Sequence, residues 1–135
     1  MKRKIFLNMS YIALITVVCT TVFLSAVAYG RYMSQVKEGI QNEAGYMAES
    51  LNQHENQSLD AYKDITISRI TLIAADGKVL YDSTGKEKSM SNHRNRKEFK
   101  EAAKNGAGES TRISKTLKKQ TYYYAVKLSD GSVLR

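Results

Sequence analysis

The chain has 135 residues, a formal net charge of +8, one cysteine, no proline and no tryptophan. A single cysteine excludes disulfide stapling within the chain, so the ~100 residues beyond the apolar N-terminal run must fold around an ordinary apolar core, with room for one small domain and no second. The basic balance is a poor argument for nucleic acid, because three of the charges, Lys2, Arg3 and Lys4, flank the first apolar run instead of forming a binding face.

Residues 5–29 carry no charged side chain. At ~1.5 Å per residue a helix of this length crosses a ~30 Å hydrocarbon core. Its polar members, Asn8, Ser10, Thr16, Cys19, Thr20, Thr21 and Ser25, are uncharged, and hydroxyls can return their hydrogen bonds to the helix's own carbonyls. Tyr11, Tyr29 and Tyr32 suit the headgroup level. The alternative is a cleaved signal peptide, since Ala26-Val27-Ala28 is an A-x-A processing pattern. The run exceeds the ~7–15 residues of a signal h-region, which favours an uncleaved anchor. Lys2, Arg3 and Lys4 outweigh Arg31 and Lys37 across the span, so the N-terminus is expected inside and residues from about 30 onward outside. The expected organisation is a basic terminus (1–4), a membrane helix (5–29), a stalk helix (30–60) and an outer domain (61–135).

In the stalk, Val36, Ile40, Ala44, Met47 and Leu51 recur every three or four residues along one face. Gly39 and Gly45 weaken that helix by about 1 kcal/mol each relative to alanine, so it needs packing against the next domain or a second copy. After an Asn/Gln/Ser-rich stretch (52–58) the period becomes extended. Ile65, Ile67, Ile70, Leu72 and Ala74 alternate with polar neighbours, Asp76-Gly77 supplies a tight turn, and Val79-Leu80-Tyr81 resumes a strand. Residues 69–82 therefore read as a hairpin.

Asn95-Arg96-Lys97-Glu98 resembles a capping arrangement, with a carboxylate three residues after the cap and Phe99, Ala102 and Ala103 on one face. Gly106 is the stop signal. Alternating runs at 109–114 and 122–128 flank a Lys-rich turn, and Asp130-Gly131 announces a hairpin into Ser132-Val133-Leu134-Arg135. So early an end after a turn suggests a truncated last strand. The fold class is α+β, an antiparallel sheet covered by helices.

The stretches RITLIAADGKVLYDS, SNHRNRKEFKEA, GESTRISKTL and TYYYAVKLSDGSVLR resemble the extracytoplasmic PAS-like, single Cache-like sensor domain of bacterial sensor histidine kinases. Among these they are similar to the phosphate-regulon sensor kinases of Gram-positive bacteria. The resemblance implies a homodimeric two-component receptor in the bacterial plasma membrane, with an unknown extracytoplasmic ligand or partner protein and a cognate response regulator. It also implies a second membrane helix, a HAMP or PAS linker and a kinase core; ATP and Mg belong to that core and no cofactor to this chain. The two histidines, His54 and His93, precede any second span, so neither is the cytoplasmic phosphoacceptor.

No enzyme is legible. Gly106-Ala107-Gly108 lacks the Lys-Ser/Thr of a phosphate loop, His54-Glu55 lacks a second histidine at i+4, and no G-x-S-x-G occurs. His54 and His93 read as surface residues. The one cluster that suggests a ligand is His93, Arg94, Arg96, Lys97, Lys100 and Lys104 around the short helix; its first four members are the candidate anion contacts. Glu98 and Glu101 partly neutralise it, so a solvated charged face is the stronger reading, and attraction to the acidic envelope is a second alternative. Tyr122-Tyr123-Tyr124 places two rings on one sheet face and one on the other, as cross-strand packing or a pocket lining. On the receptor reading that the resemblance implies, a ligand or partner is expected to shift the outer domain between two packings, with the stalk conveying the change. Its rival is a membrane-anchored or secreted binding or structural domain. A pilin-like subunit is disfavoured, because the apolar run lacks its glutamate and the preceding glycine.

Overall fold

The computed structural model describes residues 2–53, 58–114 and 118–135. His54, most of the Asn/Gln/Ser-rich stretch, and residues 115–117 of the Lys-rich turn lie outside the described residues. The chain divides into two units, residues 1–38 and 39–135.

Helix α1 spans Lys2–Gln53. In the first unit its apolar side chains stand exposed, Phe6 and Phe23 among them. Such a surface is stable only against apolar surroundings, and the helix is long and apolar enough to cross a membrane. The hydroxyls are satisfied within it: Ser10 donates to the Phe6 carbonyl at 3.0 Å, Thr16 to that of Ile12 at 2.9 Å and Thr21 to that of Val17 at 2.8 Å.

The second unit is an α+β domain. After α1 come α2 (Asp60–Lys63), β1 (Thr71–Ile73), β2 (Val79–Asp82), a 3-10 turn (Glu87–Ser89), α3 (Lys97–Asn105), β3 (Ala107–Ile113), β4 (Gln120–Lys127) and β5 (Val133–Leu134). The five strands form one sheet in the order β2-β1-β5-β4-β3, with every neighbouring pair antiparallel. The last strand lies in the middle, with Leu134 opposite both Leu72 and Val126.

One face of the sheet packs on the C-terminal end of α1. Met47 and Ala48 are buried with Leu59, Ile70, Leu128 and Leu134, and Leu51, Leu72 and Val126 close over them. Asn52 reaches from α1 to accept the Ser129 amide at 2.9 Å, and Glu43 accepts from the Ser68 hydroxyl at 2.9 Å. Of the expected apolar face, Val36 stays exposed. The opposite face packs on α3, where Ile73, Phe99, Ala102, Ala125 and Val133 form a second cluster.

Three local expectations are corrected. Ile65 and Ile67 are not in a strand: they are 81% and 107% exposed, because the chain folds back on α2 and the amides of Ile65 and Thr66 donate to the Tyr62 carbonyl at 3.1 Å. In β1 the alternation of Ile70 and Leu72 with outward polar residues also fails. Thr71 and Ile73 have no exposure, because both faces of this inner strand are covered. At α3 the N-cap is Arg96, with no side-chain cap, and the Asn95–Glu98 capping box does not form. The Glu98 carboxylate is turned into the core, and the buried residues are Glu98, Phe99 and Ala102, with Ala103 exposed.

Both Asp-Gly turns use the same device. Asp76 Oδ1 accepts the Lys78 amide and Asp130 Oδ1 the Ser132 amide, each at 2.9 Å, with Gly77 at φ +89° and Gly131 at φ +85°. They differ in surroundings. A Cβ on Gly77 would overlap the Asn92 side chain and the backbone of Arg94, whereas one on Gly131 would meet nothing within 4 Å. Gly131→Ala is expected to lose ~1 kcal/mol for its backbone conformation, and Gly77→Ala a further ~1–3 kcal/mol for overpacking. Thermal unfolding of the two variants checks the order; equal losses would mean the loop yields freely.

Candidate functional site

The face of the sheet that α3 covers only in part carries the polar chemistry. Strand parity puts Ser110 and Arg112 of β3, Tyr123 of β4, Thr71 of β1 and Asp82 of β2 on that side, with Arg69 and Arg135 flanking β1 and β5. Beyond them the segment 86–96 closes a cavity of about 360 Å³. Its lining is Arg69, Lys86, Ser89, Met90, Ser91, His93, Arg96, Arg112, Ile113, Ser114, Tyr123 and Arg135.

Two buried carboxylates fix three of the arginines. Glu98, with no exposure, accepts from Arg112 Nη2 at 2.7 Å, from Arg112 Nη1 at 2.5 Å, from the Ser110 hydroxyl at 2.7 Å and from Arg135 Nη1 at 3.4 Å. Burial pushes this carboxyl up, but the Arg112 and Ser110 hydrogen bonds outweigh it and bring its pKa from 4.5 down to about 2. Asp82 accepts from Arg69 Nε at 2.9 Å and Nη2 at 3.0 Å, from Thr71 Oγ1 at 3.0 Å, and from the Thr84 hydroxyl and amide. Burial opposes its ionisation too, and the Arg69 and Thr84 bonds again win, so its pKa is lowered. The Arg112 guanidinium stacks 3.9 Å from the Tyr123 ring centroid, with that of Arg135 at 5.2 Å, and these contacts hold the planes in place.

His93 is 6% exposed, not a surface residue. Its amide donates to the Gly77 carbonyl at 2.7 Å, and Asn92 Nδ2 donates to the Asp76 carbonyl at 3.0 Å, so the first Asp-Gly turn carries the histidine into the cavity wall. Burial first, then the charges of Arg135 and Arg96, push the imidazole pKa from 6.5 down to about 4. It is neutral at pH 7, and its Nδ1 is buried without a hydrogen-bond partner among the described residues. An orphaned buried polar atom costs ~1–3 kcal/mol.

Of the four anion contacts expected from sequence, His93 and Arg96 line the cavity and Arg94 and Lys97 do not. Arg94 is exposed, and Lys97 is 3.6 Å from Glu101 on the outer side of α3. Sequence reasoning missed Arg69, Lys86, Arg112, Tyr123 and Arg135. The available signal was parity: Ser110 and Arg112 share a face of β3, and Tyr123 is the register partner of Ser110. Tyr122 belongs to the other face, where Gln41 Nε2 donates to its hydroxyl at 3.0 Å.

The model of the single Cache-like domain matches residues 30–133, and a long helix followed by a five-stranded antiparallel sheet is consistent with that fold. The chain belongs to the single Cache-like family. No curated protein matches it. Cache domains are extracellular and non-catalytic sensor modules, and the match begins one residue beyond the charge-free run.

The shifted groups set the acid stability of this Cache-like domain. His93, depressed from 6.5 to about 4, contributes stability that is complete above pH 6.5 and is lost as pH falls toward 4. Glu98, depressed from 4.5 to about 2, contributes ~3 kcal/mol that is present above pH 4.5 and lost as pH falls to 2. Urea unfolding of the full chain in micelles, followed by tyrosine fluorescence, is expected to show both stages. Glu98→Gln should shrink the lower stage, leaving the part that Asp82 contributes, and His93→Gln should flatten the upper. Unchanged profiles would mean these groups titrate as they do in the unfolded chain.

Proposed function

We propose that this chain is the signal-sensing input region of a bacterial two-component sensor histidine kinase, of the phosphate-regulon sensor type. The observation that carries the reading is the order of parts: a basic terminus and a charge-free helix able to span a membrane lead directly into a Cache-like domain with a polar cavity. A receptor needs that order, because a stimulus outside must reach a catalytic core inside. In this reading Lys2, Arg3 and Lys4 lie on the cytoplasmic side, the domain faces outward, and the receptor is a homodimer. Occupation of the outer domain shifts its packing, and α1 is the covalent route from that domain to the bilayer. ATP, Mg and the response regulator are the business of the kinase core.

Sequencing the genomic locus beyond codon 135 tests the circuit. A second apolar span followed by a phosphoacceptor helix and an ATP-binding domain is the expected result; a stop with no kinase core in any nearby frame would leave an anchored or secreted binding domain. Topology is tested separately. With Cys19 replaced by alanine, a cysteine substituted for the exposed Ala75 should react with a membrane-impermeant maleimide in intact cells. Labelling only after permeabilisation would reverse the orientation.

A further inference from the structure

Two contacts fix the direction of the sheet along the second unit's own part of α1. Gln41 Nε2 donates to the Tyr122 hydroxyl near the start of β4, and Asn52 Oδ1 accepts the Ser129 amide just beyond its end. β4 therefore runs the same way as α1. Because every neighbouring pair is antiparallel, the starts of β1 and β4 and the ends of β2 and β3 lie together, at the end where the chain enters the domain. The strand pairing continues to Lys119, whose carbonyl accepts the Ser114 amide at 2.9 Å. At ~3.3 Å per residue this carries the hairpin roughly 10 Å beyond the Gln41 contact toward that entry end. Lys86 and Lys88 follow β2 at the same end, and Lys86 lines one cavity with Ile113.

This end is basic and apolar at once. Lys86, Lys88, Lys118 and Lys119 are exposed and have no ion pair with a described residue. Glu87 between the first two is half-buried, and Glu109 is engaged by the Tyr122 hydroxyl. The exposed isoleucines described in the second unit are here as well. Ile113 ends β3, and Ile65 and Ile67 come just before Ser68, whose hydroxyl donates to Glu43 of α1. Exposed apolar side chains ringed by cations suit a surface of anionic headgroups over hydrocarbon.

The covalent tether names the occupant. Only residues 30–38 separate the charge-free run from the second unit. A chain spans at most ~3.3–3.6 Å per residue, so the entry end stays within ~30 Å of that run in any conformation. A surface held so near is met at high effective concentration, which no free partner matches. We infer that the entry end of the domain docks on the anionic surface of the bilayer that holds the charge-free helix, its four lysines against headgroup phosphates and Ile113 toward the acyl boundary. The inference rests on that helix spanning a membrane and not on the kinase circuit. Docking makes the posture of the domain depend on lipid charge and ionic strength.

The test uses the 135-residue chain with Cys19→Ala and Gln120→Cys, a bimane on the introduced thiol, and one chain per nanodisc with nitroxide-headgroup phosphatidylcholine as quencher. Gln120 is exposed at the start of β4; a second sample carries the label at the exposed Ala75, beside the turn at the opposite end. Quenching at position 120 is expected in discs with about 30% phosphatidylglycerol. It should fall at least about fivefold in phosphatidylcholine alone, or in ~1 M salt, where the screening length is ~3 Å. The label at position 75 should stay unquenched in both lipids. Each lysine near an anionic surface raises partition about fivefold, so Lys118→Gln with Lys119→Gln should lower the docked-to-free ratio about 25-fold, and Lys86→Gln with Lys88→Gln comparably. Lys78→Gln with Arg94→Gln removes the same charge beside the far turn and should change the ratio less than about twofold. Quenching that ignores lipid charge, an equal loss in the Lys78 and Arg94 pair, or quenching at position 75 instead would overturn the inference. So would contact appearing only in discs with two chains, which assigns this end to a second copy. A domain that stays off the lipid leaves the receptor reading to the locus, and a locus without a kinase core leaves the docking to stand.

Discussion

Glu98 holds the domain together at the point where helix, sheet and cavity meet. Its carboxylate belongs to α3, its hydroxyl and guanidinium donors to Ser110 and Arg112 of β3, and its last donor to Arg135, just past β5. An ion buried to this depth is unfavourable alone; it persists because Arg112 and Ser110 compensate its lost hydration and Arg135 adds a second positive charge. Removing one partner leaves the other exposed to the full desolvation penalty, so these residues behave as a unit. The position of α3 on the sheet, the plane of Arg112 and the stacking on Tyr123 all follow from that one carboxylate.

Asp82 repeats the arrangement on the other half of the sheet. It joins β2 to Arg69, Thr71 and Thr84, and Arg135 Nη2 donates to Thr71 Oγ1 at 3.2 Å, so the two clusters are linked across β1 and β5. The backbone adds a second tie at the same place, where Thr71 and Arg135 exchange amide-to-carbonyl bonds of 2.8 Å. The cavity floor is thus built of paired charges, and its uncommitted cations come from the 86–96 segment above it.

Much of this architecture was legible in the sequence. The charge-free run, the two Asp-Gly turns, the Gly106 stop and the alternating runs flanking the Lys-rich turn are local signals, and local signals survive without knowledge of the fold. Long-range facts were not legible. Period-two alternation at Ile65 and Ile67 looks the same whether or not a partner strand is present, and at this place the Tyr62 carbonyl captured the backbone first. Glu98 three residues after Asn95 looks like a capping carboxylate until Arg112, fourteen residues away, claims it. His93 in a basic stretch looks solvated until the Gly77 carbonyl takes its amide and draws it inward. Of the basic residues around the cavity, His93 and Arg96 were legible because they sit on contiguous sequence; Arg69, Arg112 and Arg135 reach the same space only through strand pairing.

Gly108 fixes how near α3 can come. A Cβ there would overlap the Glu98 carbonyl, the Glu101 Cβ and the Ala102 amide nitrogen, so the helix backbone rests directly on β3. That closeness brings Glu98 within reach of Ser110 and Arg112 and leaves no slack for altering either layer. The loop above has slack: Lys86, Ser89 and Ser91 are exposed and carry no load in the core. Substitutions in the loop therefore cost the fold little, while the floor yields only to coordinated change of both layers, a division of labour between a tolerant rim and a rigid base.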